Sequence, residues 1–180
     1  MFSLKVDADL ELRLVHPNFA QKHFDTIISN QAHIGEWLEW ASRYQSVQDS
    51  YNFISAVCAK YNSGEALETL IFSADNLVGG VGYTKLVNTN MSGEIGYWLA
   101  KDYTGKGIMT KSVRRLMQHG FEFLNLNKII IRAAIGNEKS ANIARKLGFT
   151  QEGILRSDIQ LHGKYVDCYT FGFLKSEWSK

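Results

Sequence analysis

At Thr104 the spacing of apolar residues switches from two to about 3.6. No other feature limits the folds open to this chain as strongly. Before the switch, ALETLIFS (66–73), the turn ADN, LVGGVGYTKLV (77–87), the turn NTNMSG and EIGYWLA (94–100) read as three strands of an antiparallel meander. After it, Val113, Leu116, Met117, Gly120, Phe121 and Leu124 share one face of an amphipathic helix. KIIIRAAI (128–135) is then a nearly unbroken apolar run, the pattern of a strand covered on both faces. A meander, a helix and a doubly covered strand in that order call for a mixed sheet with helices packed on it.

The flanking segments extend this plan. DLELRLVH (9–16) alternates as a half-buried strand. Pro17 and Asn18 open a helix with Phe19, Phe24, Ile27 and Ile28 on its apolar side, and helix is expected again over Ile34–Tyr44 and Val47–Tyr61. GNEKSANIARKLGF supplies a loop and a short helix ending at Gly148, and QEGILRSDIQLHGKYVDCYTFGFL supplies two strands joined at His162–Gly163. The order β-α-α-β-β-β-α-β-α-β-β gives an α/β (α+β) fold: a mixed, mostly antiparallel seven-stranded sheet flanked by helices. No repeat or Pro/Gly/Ser linker divides the 180 residues, so one domain is expected over 1–180.

Composition excludes several classes. A chain that is 45% hydrophobic and 12% aromatic is not disordered. Two cysteines, Cys58 and Cys168, are too few for a disulfide framework and read as free thiols of a reducing cytoplasm. MFSLKVDADLELR meets charge within a few residues, unlike a signal peptide or anchor, and no apolar run approaches the roughly 20 residues of a membrane span. The five histidines show no metal-ligand spacing, so no metal is expected. A net charge of +2 gives no argument for nucleic acid, but residues 1–93 hold 6 Lys and Arg against 10 Asp and Glu, and residues 94–180 hold 14 against 8. Such asymmetry fits two partners of opposite sign, or surface charge that fell unevenly.

YTGKGIMT (103–110) sits at the switch itself. A Walker A loop aligned on Gly105–Lys106 would place Ala100 at its first glycine and Gly107 at its hydroxyl position, which fails on both counts. A dinucleotide fingerprint meets Thr110 at its third glycine and follows a meander instead of opening a parallel sheet. What survives is the physics these loops share. Small residues between a strand and a helix aim backbone N–H groups outward at the positive end of a helix dipole, ready for a pyrophosphate. Lys106, Lys111, Arg114 and Arg115 would add positive charge around it. By itself the loop reads better as a glycine-rich turn that starts a helix, its cations solvated.

Taken together, EIGYWLAKDYTGKGIMTKSV and, one strand later, GNEKSANIARKLGF resemble the GNAT N-acetyltransferase family, and within it the RimJ/RimL branch of ribosomal-protein N-terminal acetyltransferases. The likeness runs from RLVHP to YVDCYTFGFLKSEW. It implies an acyltransferase that moves the acetyl group of acetyl-CoA to a primary amine. It places Tyr97, Trp98 and Leu99 on the pantetheine arm, Thr104, Gly105, Lys106, Gly107, Ile108, Met109 and Thr110 on the pyrophosphate, and Asn137 and Asn142 on the cofactor from the following helix. In the family's loop pattern Q/R-x-x-G-x-G/A, Thr104 and Met109 depart and Gly107 conforms.

The resemblance also implies a base, Glu94, with Asp158 as the alternative, and a hydrogen-bond donor to the leaving thiolate, Ser140. Ser140 could equally cap the 141–147 helix. Trp37 is a candidate for the acceptor wall, while Trp40 reads as core, and Glu36, Glu39 and Asp49 would suit a cationic acceptor. The acceptor expected is the N-terminal α-amine of a ribosomal protein. A small-molecule amine (an antibiotic or polyamine) and a non-catalytic acyl-CoA-binding regulatory module are the alternatives. A cytoplasmic homodimer with neither nucleic-acid nor membrane partners is implied as well.

Overall fold

The computed structural model describes residues 2–178. Its strands are β1 (Ser3–Lys5), β2 (Leu10–Leu14), β3 (Leu67–Ser73), β4 (Asn76–Val87), β5 (Ser92–Leu99), β6 (Lys128–Ala134), β7 (Thr150–Leu161) and β8 (Lys164–Leu174). Its α-helices are α1 (Ala20–Ser29), α2 (Gln31–Gly35), α3 (Val47–Asn62), α4 (Ile108–Glu122) and α5 (Glu138–Lys146). The strands form one sheet in the order β1-β2-β3-β4-β5-β6-β8-β7, antiparallel throughout except for β5 and β6. The sheet therefore has eight strands where seven were expected. The extra one, β1, is three residues long and buries a single side chain, Leu4, too short to display a period.

The amphipathic face read from the sequence is the packing face of α4. Val113, Leu116, Met117, Gly120 and Phe121 are all buried. They meet Val81, Tyr83, Ile95, Ile129 and Ile131, while Ala141 and Ala144 bring α5 onto the same side. On the opposite side, Ile54 and Val57 of α3 cover Leu70, Phe72 and Leu77.

Helix was expected over Ile34–Tyr44, but α2 stops at Gly35 and only a 3-10 turn, Glu39–Arg43, follows. Gln31 explains the tight path, because its side-chain amide donates to the carbonyls of Ala41 and Tyr44 and folds the segment back. In α1, Ile27 is buried but Ile28 is exposed, and His23 takes the inward position. Asp49 accepts the backbone N–H groups of Gln45 and Ser46 and so caps α3.

The parallel pair β5–β6 shapes the middle of the sheet. Helix α4 makes the crossover that parallel pairing requires. The pairing joins Ser92–Ile95 to Lys128–Ile131 and then stops. Beyond that point Gly96–Leu99 pair with β4 alone and Arg132–Ala134 with β8 alone. The two strands part, and a wedge opens in the middle of the sheet.

Candidate active site

The wedge leaves one edge of Gly96–Leu99 without a strand partner, and such an edge pairs readily with an extended chain of amide groups. At the end of this edge, the 3-10 turn Lys101–Tyr103 leads into the glycine loop. Thr104 closes that turn by donating its hydroxyl to the Lys101 carbonyl at 2.7 Å. Gly105 and Gly107 both have φ of 74°, a left-handed conformation that suits glycine. A Cβ on either would meet no atom within 4 Å, so both face open space. Gly107 is the N-cap of α4. Among the described residues, the backbone N–H groups of Gly105, Lys106, Gly107, Ile108, Met109 and Thr110 have no intramolecular acceptor. Six adjacent donors at the positive end of a 15-residue helix suit a diphosphate.

Not every residue of the loop faces this space. Ile108 and Met109 bury their side chains in the core, at 8% and 6% exposure, and offer only their amides. The departure at Met109 therefore leaves the backbone cradle intact. Two of the four cations expected around the loop are turned elsewhere. Lys111 pairs with Asp7 at 2.8 Å, and Arg115 donates to the Lys5 carbonyl. Lys106 lies over the Tyr103 ring, 5.4 Å from its centroid.

The alternation of β5 splits the trio 97–99 between the two faces of the sheet. Tyr97 and Leu99 join the core on the α4–α5 side. Trp98 packs on the other side, against His23 and Trp40, so its side chain does not share their face. Tyr97 reaches across the wedge. Its hydroxyl lies 3.0 Å from Ser140 Oγ and 3.1 Å from the Ser140 carbonyl oxygen. Burial pushes the Tyr97 phenol up to about 12.

Helix α5 begins at Glu138, and its N-cap is Asn137, whose Oδ1 accepts the Ser140 N–H at 3.1 Å. Ser140 is thus not the cap; its hydroxyl remains for Tyr97 and for whatever enters the wedge. Asn142 is exposed and accepts from Arg145 Nη1 at 3.0 Å, on the outer face of α5.

Glu94 lies on the same face as Trp98, paired with Ile130 one row before the last pair, Ile95–Ile131, at the wedge. Its Oε2 is 3.7 Å from Arg132 Nε, and Arg132 Nη1 is 3.6 Å from Asp158 Oδ2. Both candidate bases thus flank one guanidinium. The buried Cys168 thiol is pushed up, first by burial and then by the charge of Asp158. Trp37 reaches the same end of β6, since a Cβ on Gly136 would come 3.4 Å from its Cη2. The turn between β7 and β8 closes over this region. The His162 N–H donates to the Glu39 carboxylate, and its Nε2 lies 3.2 Å from the Glu36 carbonyl oxygen.

Sequence reasoning missed Arg132, although a charge inside the apolar run KIIIRAAI was its signal. It also missed Glu68 of β3, whose carboxyl burial pushes up to about 7. Among the described residues, no cluster of three or more His, Cys, Asp or Glu could hold a metal, and no helix is long and apolar enough to cross a membrane.

A mixed sheet flanked by helices, with an amide-lined loop after EIGYWLA, fits what the resemblance implies. The pattern of the acetyltransferase (GNAT) domain matches residues 9–150. The chain belongs to the GNAT acetyltransferase family. Its relatives include the "Putative ribosomal N-acetyltransferase YdaF" of Bacillus subtilis (strain 168), 36% identical over 99% of this chain and 98% of that protein. The ribosomal-protein-serine acetyltransferase of Escherichia coli (strain K12) is 28% identical over 92% of each. Among solved structures, the microcin C7 self-immunity acetyltransferase MccE, in complex with acetyl-CoA and AMP, superposes with a TM-score of 0.91 at 26% identity over 94% of each chain. This GNAT acetyltransferase has a sheet of eight strands, a wedge between β5 and β6, and a loop in which Gly107 is the N-cap of α4.

Proposed function

We propose that this chain transfers the acetyl group of acetyl-CoA to the N-terminal α-amine of a protein, and of a ribosomal protein in particular. The observation that carries the reading is the wedge between β5 and β6, with six free amides at its end. An extended pantetheine pairs with the Gly96–Leu99 edge, and the pyrophosphate accepts from Gly105 to Thr110. The ribosomal acceptor rests on YdaF and the Escherichia coli enzyme, named for such substrates and covered almost end to end.

The residues divide the work by face. Glu94, on the α1–α3 side, takes a proton from the incoming ammonium, directly or through one water, so that a neutral amine attacks the thioester. Asp158 is the alternative base from across Arg132. As the carbon–sulfur bond breaks and the carbon–nitrogen bond forms, Ser140 donates a hydrogen bond to the departing thiolate from the opposite side. Trp37, above Gly136, forms part of the acceptor wall. Asn137 touches the cofactor through its side-chain amide, beside the carboxamide oxygen that caps α5.

A small-molecule amine is the second reading, favoured by the similarity to MccE, a self-immunity enzyme. The reading includes one domain over 1–180, acting in the cytoplasm as a homodimer. Light scattering tests the dimer. The activity is tested by acetylation of N-terminal peptides of ribosomal proteins, followed by mass spectrometry. An acetyl group on the α-nitrogen supports the reading; acetylation of polyamines or aminoglycosides alone replaces it with the second.

A further inference from the structure

Ser140 is not alone at its end of the wedge. Tyr97 Oη stands 3.0 Å from Ser140 Oγ and 3.1 Å from the Ser140 carbonyl oxygen, two acceptors for one phenolic proton. Tyr97 belongs to β5 and Ser140 to α5, 43 residues later, so the contact ties the two sides of the wedge together. Asn137 holds the same serine from below through its backbone N–H. The backbone of Ser140 is therefore pinned at N–H and at C=O, the Tyr97 hydroxyl lies against its Oγ, and rotation about the Cβ–Oγ bond turns the hydroxyl proton.

We infer that Tyr97 is the positioning residue that sets the direction of the Ser140 hydroxyl and releases it toward the leaving thiolate. The inference rests on the donor role given to Ser140 above. Two arrangements satisfy the same atoms. In the first, Tyr97 donates to the Ser140 carbonyl and accepts from Ser140 Oγ, which turns the serine proton away from the wedge. In the second, Tyr97 donates to Ser140 Oγ, and the serine proton points into the wedge.

No proton changes owner between them; two hydroxyls rotate, a motion far faster than chemistry. Negative charge growing on the sulfur favours the second arrangement, because a serine that accepts from tyrosine is a better donor in turn. A phenol buried to this degree stays protonated across the working pH range and so keeps its donor. The interaction is made in the transition state more than in the ground state, so its loss appears in turnover.

Tyr97→Phe removes one oxygen from a ring otherwise packed in the core, and its melting temperature is measured beside its kinetics. The test measures kcat, KM and the acetyl-CoA Kd by calorimetry for Tyr97→Phe, Ser140→Ala and the double variant, with whichever amine the wild type acetylates. Tyr97→Phe is expected to lower kcat roughly tenfold, with Kd changed less than twofold, the upper end of the loss typical of one hydrogen bond between neutral groups. In the Ser140→Ala background the same change should cost almost nothing, because the residue it positions is gone. Equal losses in the two backgrounds, or a loss confined to Kd, overturn the inference. A slow Ser140→Ala with a normal Tyr97→Phe overturns it while leaving the serine's role standing. A Ser140→Ala enzyme with full turnover removes the donor role itself.

Discussion

Arg132 Nε lies 3.7 Å from Glu94 Oε2, at the row where β5 and β6 part, and the same guanidinium reaches Asp158 from its other end. Both distances exceed a good charge-assisted hydrogen bond, so the cation balances the two carboxylates without locking either. Glu94→Gln is expected to lower acetyl transfer by about 100-fold or more while acetyl-CoA binding stays within twofold. Asp158→Asn should cost less than tenfold. A larger loss in Asp158→Asn makes Asp158 the base.

Arg132 carries its own prediction. Its guanidinium stands 3.7 Å from Glu94 and 3.6 Å from Asp158, so it helps to hold both carboxylates in place. Arg132→Gln should lower kcat/KM for the amine roughly tenfold while acetyl-CoA Kd stays within twofold. An unchanged kcat/KM would separate Arg132 from the base.

The glycine loop predicts a split between stability and binding. Ala at Gly107 must adopt φ of 74° but meets no neighbouring atom. The fold should lose about 1 kcal/mol from backbone strain alone. The added methyl projects into open space beside the free amides, and acetyl-CoA Kd should rise roughly tenfold, equivalent to one weakened contact to a charged group. Gly120 makes the contrast, because a Cβ there would collide with Tyr83, whose hydroxyl donates to the Leu116 carbonyl. Gly120→Ala should cost about 2–3 kcal/mol of stability and leave the Kd of the folded fraction unchanged. Calorimetry and chemical denaturation check both.

Glu68 gives a pH prediction whose sign follows from burial. Its carboxyl titrates near 7 in the folded protein, against 4.5 for the free group. Its contribution is therefore intact below about pH 4.5 and is lost as pH rises through 7, because the folded state must give up a proton it prefers to keep. His23, held down to about 4 by burial, slopes the other way, so the test is a difference. The stability of Glu68→Gln relative to wild type should rise by on the order of 2 kcal/mol between pH 4.5 and 8. A flat difference contradicts it.

What could be read from residues alone was whatever local periodicity encodes. The face of α4, the meander and the His162–Gly163 turn each repeat their signal over several neighbours. The short β1 and the folded-back segment 36–44 lack such repetition. In the latter, a side-chain clamp from Gln31 sets the path. The site divides along the same line. EIGYWLA and the GKG loop are contiguous and were legible. The Tyr97–Ser140 contact and the Arg132 cluster join residues from different elements, and only the parting of β5 from β6 brings them together. The side a residue faces is set by strand alternation: Trp98 neighbours Tyr97 in sequence but belongs to the other layer.

Acetyl transfer from the wedge to an amine frees one CoA thiol per turnover, so free-CoA release measures it most directly. The assay follows thiol production from acetyl-CoA over a panel of N-terminal ribosomal peptides, aminoglycosides and polyamines, with Glu94→Gln beside the wild type. Release stimulated by a peptide with a free α-amine, abolished by acetylating that amine and suppressed in Glu94→Gln, is the result expected here. Release that no amine raises above the hydrolytic background would contradict it.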